Sequence, residues 1–142
     1  ATLSPTLTIE GGEGGGLVGA RHDGVMHTAR DLRARGLVWS YSGQAGIGEP
    51  LFRVARGVTV IMTVDNISRH THVVHVHGHA ARVVERSGRP AADSAWGDTF
   101  ECPPIEPVKI IFIADNPGRW LISSTIAEHF DAGAQTWFEV GA

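Results

Sequence analysis

The sequence predicts an all-β domain, a sandwich or barrel of short strands, from three observations. Eighteen glycines and seven prolines, with only 19% charged residues, indicate many turns. Short runs that are β-branched or alternate with a period of two, such as residues 58–64, are typical of strands. The pattern lacks the strand–helix alternation of a doubly wound sheet. With 142 residues and 42% hydrophobic content, the chain can form one domain with a core.

The first 36 residues are predicted to precede the domain. Residues 1–20 are glycine-rich, and residues 11–16 in particular have the composition of a flexible linker. Residues 25–35 are rich in Ala, Leu and Arg and end before a glycine, which predicts a short helix. His22 and His27 lie in this part; either could contact a metal, but surface histidines without one are the simpler interpretation. We therefore expect a linker and short helix in residues 1–36, and the folded domain in residues 37–142.

From residue 37 onward, apolar runs alternate with turn sequences. We expect one helical turn at residues 126–132. The predicted strands are residues 51–56, 58–64, 72–77, 80–85, 99–101, 108–114, 120–123 and 136–140.

Composition excludes several classes of function. The formal net charge of −3 gives no sign of nucleic-acid binding. No apolar run is long enough to span a membrane. The single cysteine, Cys102, cannot form a disulfide within the chain, and we expect it in a loop before two prolines.

Residues 72–79 (HVVHVHGH) hold four of the eight histidines, a density typical of metal sites. Successive side chains of a strand point to opposite faces, so His75, His77 and His79 are expected on one face and His72 on the other. One strand could then serve two metal sites. Imidazole suits copper, zinc, iron and nickel, so the spacing does not choose the metal. A strand with one or two core histidines is the alternative.

These residues resemble the HxxHLHGH motif in the last cupredoxin domain of the multicopper oxidases, the laccase-like proteins. Later stretches agree in order and spacing, and the match covers roughly residues 37–141. The matching stretches are residues 96–99 (WGDT), 103–104 (PP) with the strand at 108–112, 114–120 (ADNPGRW), and upstream 37–39 (LVW) and 48–51 (GEPL). The resemblance implies a Greek-key β-sandwich or barrel of the cupredoxin type.

The resemblance also implies ligands. In the family the first histidine binds the type 1, or blue, copper, which corresponds to His72. The next two join the type 2 and type 3 coppers of a trinuclear cluster, which corresponds to His75 and His77. The histidine after glycine, here His79, is usually not a ligand.

The chain departs from the family's second motif, HCHIxxHxxxGM or close to it. Residues 123–134 read SSTIAEHFDAGA. Register with the motif is held by Trp120, Ile126, His129 and Gly133. The changed positions are Ser123 and Thr125 for two type 3 histidines, Ser124 for the type 1 cysteine, and Ala134 for an axial methionine or leucine.

The change at Ser124 has the largest consequence. A blue copper site needs a thiolate, and a serine hydroxyl, protonated near neutral pH, cannot replace it. His72 and His129 remain from the type 1 set and could hold Cu(II) or Zn(II) weakly, with water completing the shell. His75 and His77 remain from the cluster set, whose other ligands come from another domain in the family. We do not expect Cys102 to substitute for the lost cysteine.

Three functions stay open. The chain is interpreted as the C-terminal cupredoxin domain of a multicopper oxidase-like protein, inactive as an oxidase by itself and without catalytic residues of its own. The alternatives are a non-catalytic copper or zinc binder and a structural or interaction domain. The candidate metal ligands are His72, His75, His77 and His129. The sequence does not separate natural from engineered ligand loss, nor a whole protein from a fragment.

The expected cofactor is copper in partial or absent sites, with zinc as an alternative. Expected partners are other cupredoxin domains or subunits, including further copies of this chain, with no nucleic acid and no membrane. The resemblance implies a periplasmic or extracellular location.

Overall fold

In a computed structural model the described residues, 1–12, 14, 16–91 and 94–142, form a two-sheet sandwich. This all-β, cupredoxin-type architecture confirms the predicted fold class. The elements in chain order are β1 (Thr2–Leu3), β2 (Thr6–Gly11), β3 (Gly19–His22), β4 (Val25–Thr28), α1 (Ala29–Ala34), β5 (Trp39–Tyr41), β6 (Phe52–Val54), β7 (Thr59–Asn66), β8 (His72–Val76), β9 (Ala81–Arg86), β10 (Arg89–Pro90), β11 (Thr99–Cys102), β12 (Val108–Ile113), β13 (Gly118–Ser124), α2 (Ala127–Asp131) and β14 (Gln135–Val140).

The two sheets differ in the number and order of their strands. Within the described part of the chain, the larger sheet has the order β10-β9-β12-β7-β2-β5, with β1 also paired to β7. The smaller sheet has the order β11-β8-β13-β14-β6, and β3 and β4 form a separate hairpin. Strand β8, which carries the histidines, is therefore hydrogen-bonded on both sides.

One hydrophobic core lies between the two sheets. The larger sheet contributes alternate side chains of β7 and β12, including Met62, Ile110 and Phe112. The smaller sheet contributes Val74 and Phe138 among others. Since both sheets bury one face, most strands show the alternating burial that the sequence pattern predicted.

The first residues are not a linker. Leu7 and Ile9 are fully buried, and β2 pairs in parallel with β7 and antiparallel with β5. The glycine content of this region concealed the alternation of Thr6 to Ile9, which buries every second side chain. Glu13 and Gly15, which fall within the expected flexible segment, lie outside the described residues.

The short helix is present but begins later than predicted. Residues 25–28 form β4, and α1 follows because the Thr28 hydroxyl accepts a hydrogen bond from the Asp31 N–H at 3.2 Å. This side-chain cap is a standard start signal for a helix. The predicted helix began too early, because Val25 and Met26 pair with His22 and Arg21 in the β3–β4 hairpin. Strands β3, β5 and β10 were also not predicted.

All eight predicted strands are found, and each end lies within two residues of its expected position. The expected helical turn corresponds to α2. Cys102 was expected in a loop, and this was wrong, because it is the last residue of β11 and is buried. In the described residues, no helix has the length and apolarity needed to cross a membrane.

Replacing Leu7 with alanine tests whether β2 is part of the core. We expect the free energy of unfolding to fall by about 2–5 kcal/mol, because the substitution leaves a cavity in a packed core. Urea denaturation measures the change. Thr6→Ala, at an exposed position of the same strand, is the matched control and should change stability by about 0.5 kcal/mol or less. Equal, small effects would restore the linker interpretation.

Candidate metal centre

The register of β8 sends its histidines to opposite faces of the sheet. His72, Val74 and Val76 point into the sandwich, and His72 is fully buried. His75 points outward and is partly exposed, and His77 follows in an exposed turn. The two-face arrangement predicted for His72, His75 and His77 is therefore what the fold produces.

His79 does not follow the alternation, so its expected position beside His75 and His77 was wrong. Strand β8 ends at Val76, and the chain turns through Gly78, which has a φ of 79°. The turn directs the His79 ring into the core, where it is only 7% exposed. Alternation holds only while the backbone stays extended.

A buried tyrosine holds the inward histidine. The Tyr41 hydroxyl lies 2.9 Å from Nδ1 of His72. Burial, and secondarily the nearby Cys102, raises the pKa of Tyr41, so the phenol keeps its proton. Burial, followed by repulsion from His129 and His70, lowers the pKa of His72 to about 3, so the imidazole is neutral. Both groups are therefore neutral, and we assign the tautomer in which Tyr41 donates and Nδ1 of His72 accepts.

This hydrogen bond occupies the lone pair that a metal would need. With Nδ1 accepting, the other nitrogen of His72, Nε2, carries the proton, and it is buried without a hydrogen-bond partner. A neutral imidazole binds a metal through its unprotonated nitrogen. In this tautomer, a cation at Nδ1 of His72 must first displace the Tyr41 hydroxyl.

Trp39 lies among three histidines. Its indole is 4.3 Å from the ring of His72, 4.9 Å from that of His129 and 5.4 Å from that of His70, measured between centroids. The rings of His72 and His129 are 4.8 Å apart. A cavity of about 270 Å³ opens beside them and is lined by Val38, Trp39, His70, Glu128, His129 and Ala132.

A buried asparagine fixes the loop that leads into β8. The side-chain amide of Asn66 donates to the carbonyl of His70 at 2.7 Å and to that of Cys102 at 2.9 Å. Its carbonyl oxygen accepts from both the N–H and the hydroxyl of Ser68. These hydrogen bonds fix the conformation of the loop, and the loop places His70 at the edge of the cavity.

The residues at the positions where the resemblance implies ligands make ordinary structural bonds. The Ser124 hydroxyl is buried and accepts from the N–H of Ile126 at 3.1 Å. The Thr125 hydroxyl donates to the carbonyl of Val73 at 3.3 Å. Ser123 lies directly opposite His75 across the β13–β8 pair.

Cys102 lies nearer to the inward histidine than its sequence position suggested. It is the cross-strand partner of His72 in the β11–β8 pair, and its side chain is fully buried. Burial raises the pKa of its thiol to about 12, so the sulfur is protonated near neutral pH. A protonated thiol is a poor metal ligand and a poor nucleophile.

The outward histidines form a pair at the surface. Nε2 of His75 and Nδ1 of His77 are 3.1 Å apart. Nδ1 of His75 lies 3.3 Å from the Thr99 hydroxyl and 3.7 Å from Oδ1 of Asp98. The Thr99 hydroxyl donates to Asp98 at 2.9 Å, so its oxygen accepts from the N–H at Nδ1 of His75. Nε2 of His75 then holds the lone pair, and Nδ1 of His77 donates to it.

The structure thus separates the four candidate ligands into two pairs. His72 and His129 form the inner pair, and His75 and His77 form the outer pair. Among the described residues, no group of three or more His, Cys, Asp or Glu side chains is arranged to hold a metal ion. Sequence reasoning missed Tyr41, Trp39, His70 and Glu128 around the inner pair. His70, two residues before His72, and Glu128, directly before His129, had a signal in the sequence; Tyr41 and Trp39 are brought to the pair by the fold.

The chain resembles known multicopper oxidases in sequence. The sequence profile of the family described as multicopper oxidase matches residues 24–142. The protein named Multicopper oxidase MmcO from Mycobacterium tuberculosis is 28% identical over 98 residues, which cover 69% of this chain and 19% of that protein. Iron transport multicopper oxidase fio1 from Schizosaccharomyces pombe is 33% identical over 94 residues, covering 58% of this chain and 15% of that protein.

Solved structures agree in fold. A multicopper oxidase from Campylobacter jejuni, described as a metallo-oxidase, superposes with a TM-score of 0.79 at 18% identity, covering 100% of this chain and 30% of that one. McoA multicopper oxidase from Aquifex aeolicus gives a TM-score of 0.71 at 24% identity, with the same two coverages. The chain therefore spans less than a third of the length of each of these relatives.

Replacing Tyr41 with phenylalanine tests the bond that holds His72. We expect the free energy of unfolding to fall by about 1–3 kcal/mol, because a buried acceptor loses its donor. A double-mutant cycle with His72→Leu, measured by chemical denaturation, isolates this pair from other losses. A coupling energy near zero would show that the hydroxyl and the imidazole do not interact.

Proposed function

Because the chain belongs to the multicopper oxidase family, we propose that it is the C-terminal cupredoxin domain of such a protein and is not an oxidase by itself. It binds copper through His75 and His77, and it forms no blue copper site. The observation that carries this proposal is the contrast between the two pairs. The outer imidazoles place two ring nitrogens 3.1 Å apart near the surface, whereas Nδ1 of the inner His72 is hydrogen-bonded to Tyr41.

The inner pair does not suit type 1 copper. That centre requires a thiolate, and Ser124 supplies a hydroxyl that already accepts a backbone hydrogen bond. The thiol of Cys102 stays protonated, and Nδ1 of His72 is held by Tyr41. Each of these groups would have to change its bonding to accept copper. The electron input that a blue copper site gives to an oxidase is therefore absent from this domain.

The outer pair suits one metal ion. Two nitrogens bound to the same ion at about 2.0–2.1 Å lie about 2.8–3.4 Å from each other for square-planar to tetrahedral angles. The 3.1 Å between Nε2 of His75 and Nδ1 of His77 falls in this range. Binding of a cation to both nitrogens would require the loss of the proton that Nδ1 of His77 donates to Nε2 of His75.

The surrounding residues prepare this pair for a cation. Thr99, itself held by Asp98, accepts the Nδ1 proton of His75 and so directs the lone pair at Nε2 toward His77. A second hydrogen-bonding shell of this kind fixes the tautomer and orientation of a ligating histidine. The Asp98 carboxylate adds negative charge near the site. Copper bound here would supply redox chemistry that side chains lack.

Two imidazoles do not complete a copper shell, so we propose that another cupredoxin domain or subunit supplies the remaining ligands. An exposed apolar groove beside the pair offers a surface for such a partner. The groove encloses about 380 Å³ and is lined by Ile47, Gly48, Arg119, Trp120, Leu121 and Trp137. The backbone N–H of His77 donates to the carbonyl of Leu121 at 3.0 Å, so a residue of the outer pair lies directly beside the groove. We also propose a periplasmic or extracellular location, in keeping with the family.

A metal-free structural or interaction domain is the second candidate. It is favoured by the residues around the inner pair, because Tyr41 and Ser124 make their hydrogen bonds without a metal. Zinc is the alternative to copper at the outer pair, because imidazole nitrogen suits both.

Titrating the metal-free protein with Cu(II), followed by calorimetry and electron paramagnetic resonance, tests the proposal. We expect one equivalent to bind with nitrogen hyperfine structure and without an intense blue band. Removal of either outer imidazole, by His75→Ala or His77→Ala, should weaken binding by at least tenfold. His27→Ala, on the separate β3–β4 hairpin, is the control and should leave it unchanged.

Each opposite result has a defined meaning. An intense blue band in the native chain would contradict the interpretation of Ser124. No binding of Cu(II) or Zn(II), with no metal-dependent increase in thermal stability, would favour the structural domain, because a ligand of the folded state must stabilise it.

Restoring the lost ligands tests the assigned register. A variant carrying Ser123→His, Ser124→Cys and Thr125→His should acquire a copper–thiolate absorption band with Cu(II), because a thiolate then joins His72 and His129. Tyr41→Phe in addition should increase copper occupancy, since it frees Nδ1 of His72. A correctly folded variant without any thiolate-to-copper band would show that position 124 is not the former thiolate position.

A further inference from the structure

The turn after β8 is held by three side chains, two of which come from a distant part of the chain. Asn116 donates its amide to the Gly78 carbonyl at 3.1 Å, and the Trp120 indole N–H donates to the Asn116 carbonyl at 2.9 Å. A side chain at Gly78 would place its Cβ 2.6 Å from the Trp120 ring. The indole also lies 5.7 Å from the His77 ring, at an interplanar angle of 31°. His79 is the third member of this set.

The His79 ring is buried in an aromatic pocket. Its centroid lies 5.3 Å from that of Phe112, 5.3 Å from that of Phe138 and 5.9 Å from that of Trp120. A leucine or phenylalanine would suit such surroundings better than an imidazole. The Nε2 atom of His79 is buried there without a hydrogen-bond partner, which carries a desolvation cost.

The other nitrogen of His79 gives a reason for a histidine in this pocket. Its Nδ1 lies 3.2 Å from the carbonyl oxygen of His77. Because a carbonyl can only accept, Nδ1 carries the proton and donates it to the His77 main chain. His79 therefore anchors the backbone of a residue whose own ring contacts His75 at 3.1 Å.

We propose that His79 is a positioning residue for the outer histidine pair. Its N–H holds the His77 carbonyl, so that the exposed His77 ring keeps one orientation and stays within hydrogen-bonding distance of His75. The inference rests on the proposed function only for its consequence, which is tighter metal binding at His75 and His77. The positioning itself exists in the metal-free protein.

Three variants separate the hydrogen bond from simple packing. His79→Asn keeps an N–H donor at the position of Nδ1, because its amide nitrogen is also bonded to Cγ. His79→Gln carries the same amide one bond farther out, and His79→Leu fills the aromatic pocket without any donor. If His79→Leu does not fold, the comparison of the asparagine and glutamine variants carries the test.

The first measurement uses metal-free protein and long-range proton–nitrogen correlation spectra of the imidazoles. In the native chain and in His79→Asn, Nε2 of His75 should show the shift of a hydrogen-bonded acceptor. In His79→Gln and His79→Leu this signature should be lost. Retention of the signature in all variants would overturn the proposal, as would a loss that follows only the thermal stability of each variant.

The second measurement is the dissociation constant for Cu(II). His79→Leu and His79→Gln should bind at least tenfold more weakly than the native chain, the usual effect of removing an outer-shell partner. His79→Asn should bind within about threefold of it, and equal affinities throughout would contradict the positioning role. If the native chain binds no copper, the proposed function fails, while the metal-free spectra still decide the role of His79.

Discussion

The candidate site depends on the fixed register of β8 within the smaller sheet. This strand is paired with β11 on one side and with β13 on the other, so it cannot slip by one residue without turning every side chain to the opposite face. Its register puts His72 inside the sandwich and His75 outside, within five residues. The inner and outer pairs therefore experience very different surroundings although they share one strand.

The inner surroundings favour bonds within the chain over a metal. Burial keeps His72 neutral, keeps the Tyr41 phenol and the Cys102 thiol protonated, and makes an unpaired polar atom costly. Tyr41 and Ser124 accordingly make hydrogen bonds that a metal would have to break. The outer pair is closer to solvent, and its imidazoles share only a proton that a cation can replace. The outer pair is therefore the candidate metal site, whereas the inner histidine His72 is held by a bond within the chain.

The structure also gives a physical reason why two separate sequence motifs occur together. No candidate ligand lies in residues 114–120, yet Asn116 and Trp120 hold the turn that ends the histidine motif. Gly78 is required there, because its backbone has a positive φ and the indole lies where a Cβ would be. On the core side of the turn, Nδ1 of His79 donates to the carbonyl of His77. The motif around Trp120 therefore supports the turn that carries His77, and it does so through packing and hydrogen bonds rather than as a ligand.

The sequence by itself determined the fold class, most strands from β6 to β14, and the opposite orientations of His72 and His75, because these follow from local alternation. It also led to the prediction that a thiolate is missing, since residue 124 is serine whatever its surroundings. Local pattern failed for β2, whose alternation is short and set among glycines, and for His79, which lies beyond the end of its strand. Only the tertiary structure decided that Tyr41 binds His72, that Cys102 lies opposite His72, and that the His79 ring packs against Phe112 and Phe138. These contacts join residues far apart in the chain, and their distances depend on how the strands and the two sheets pack.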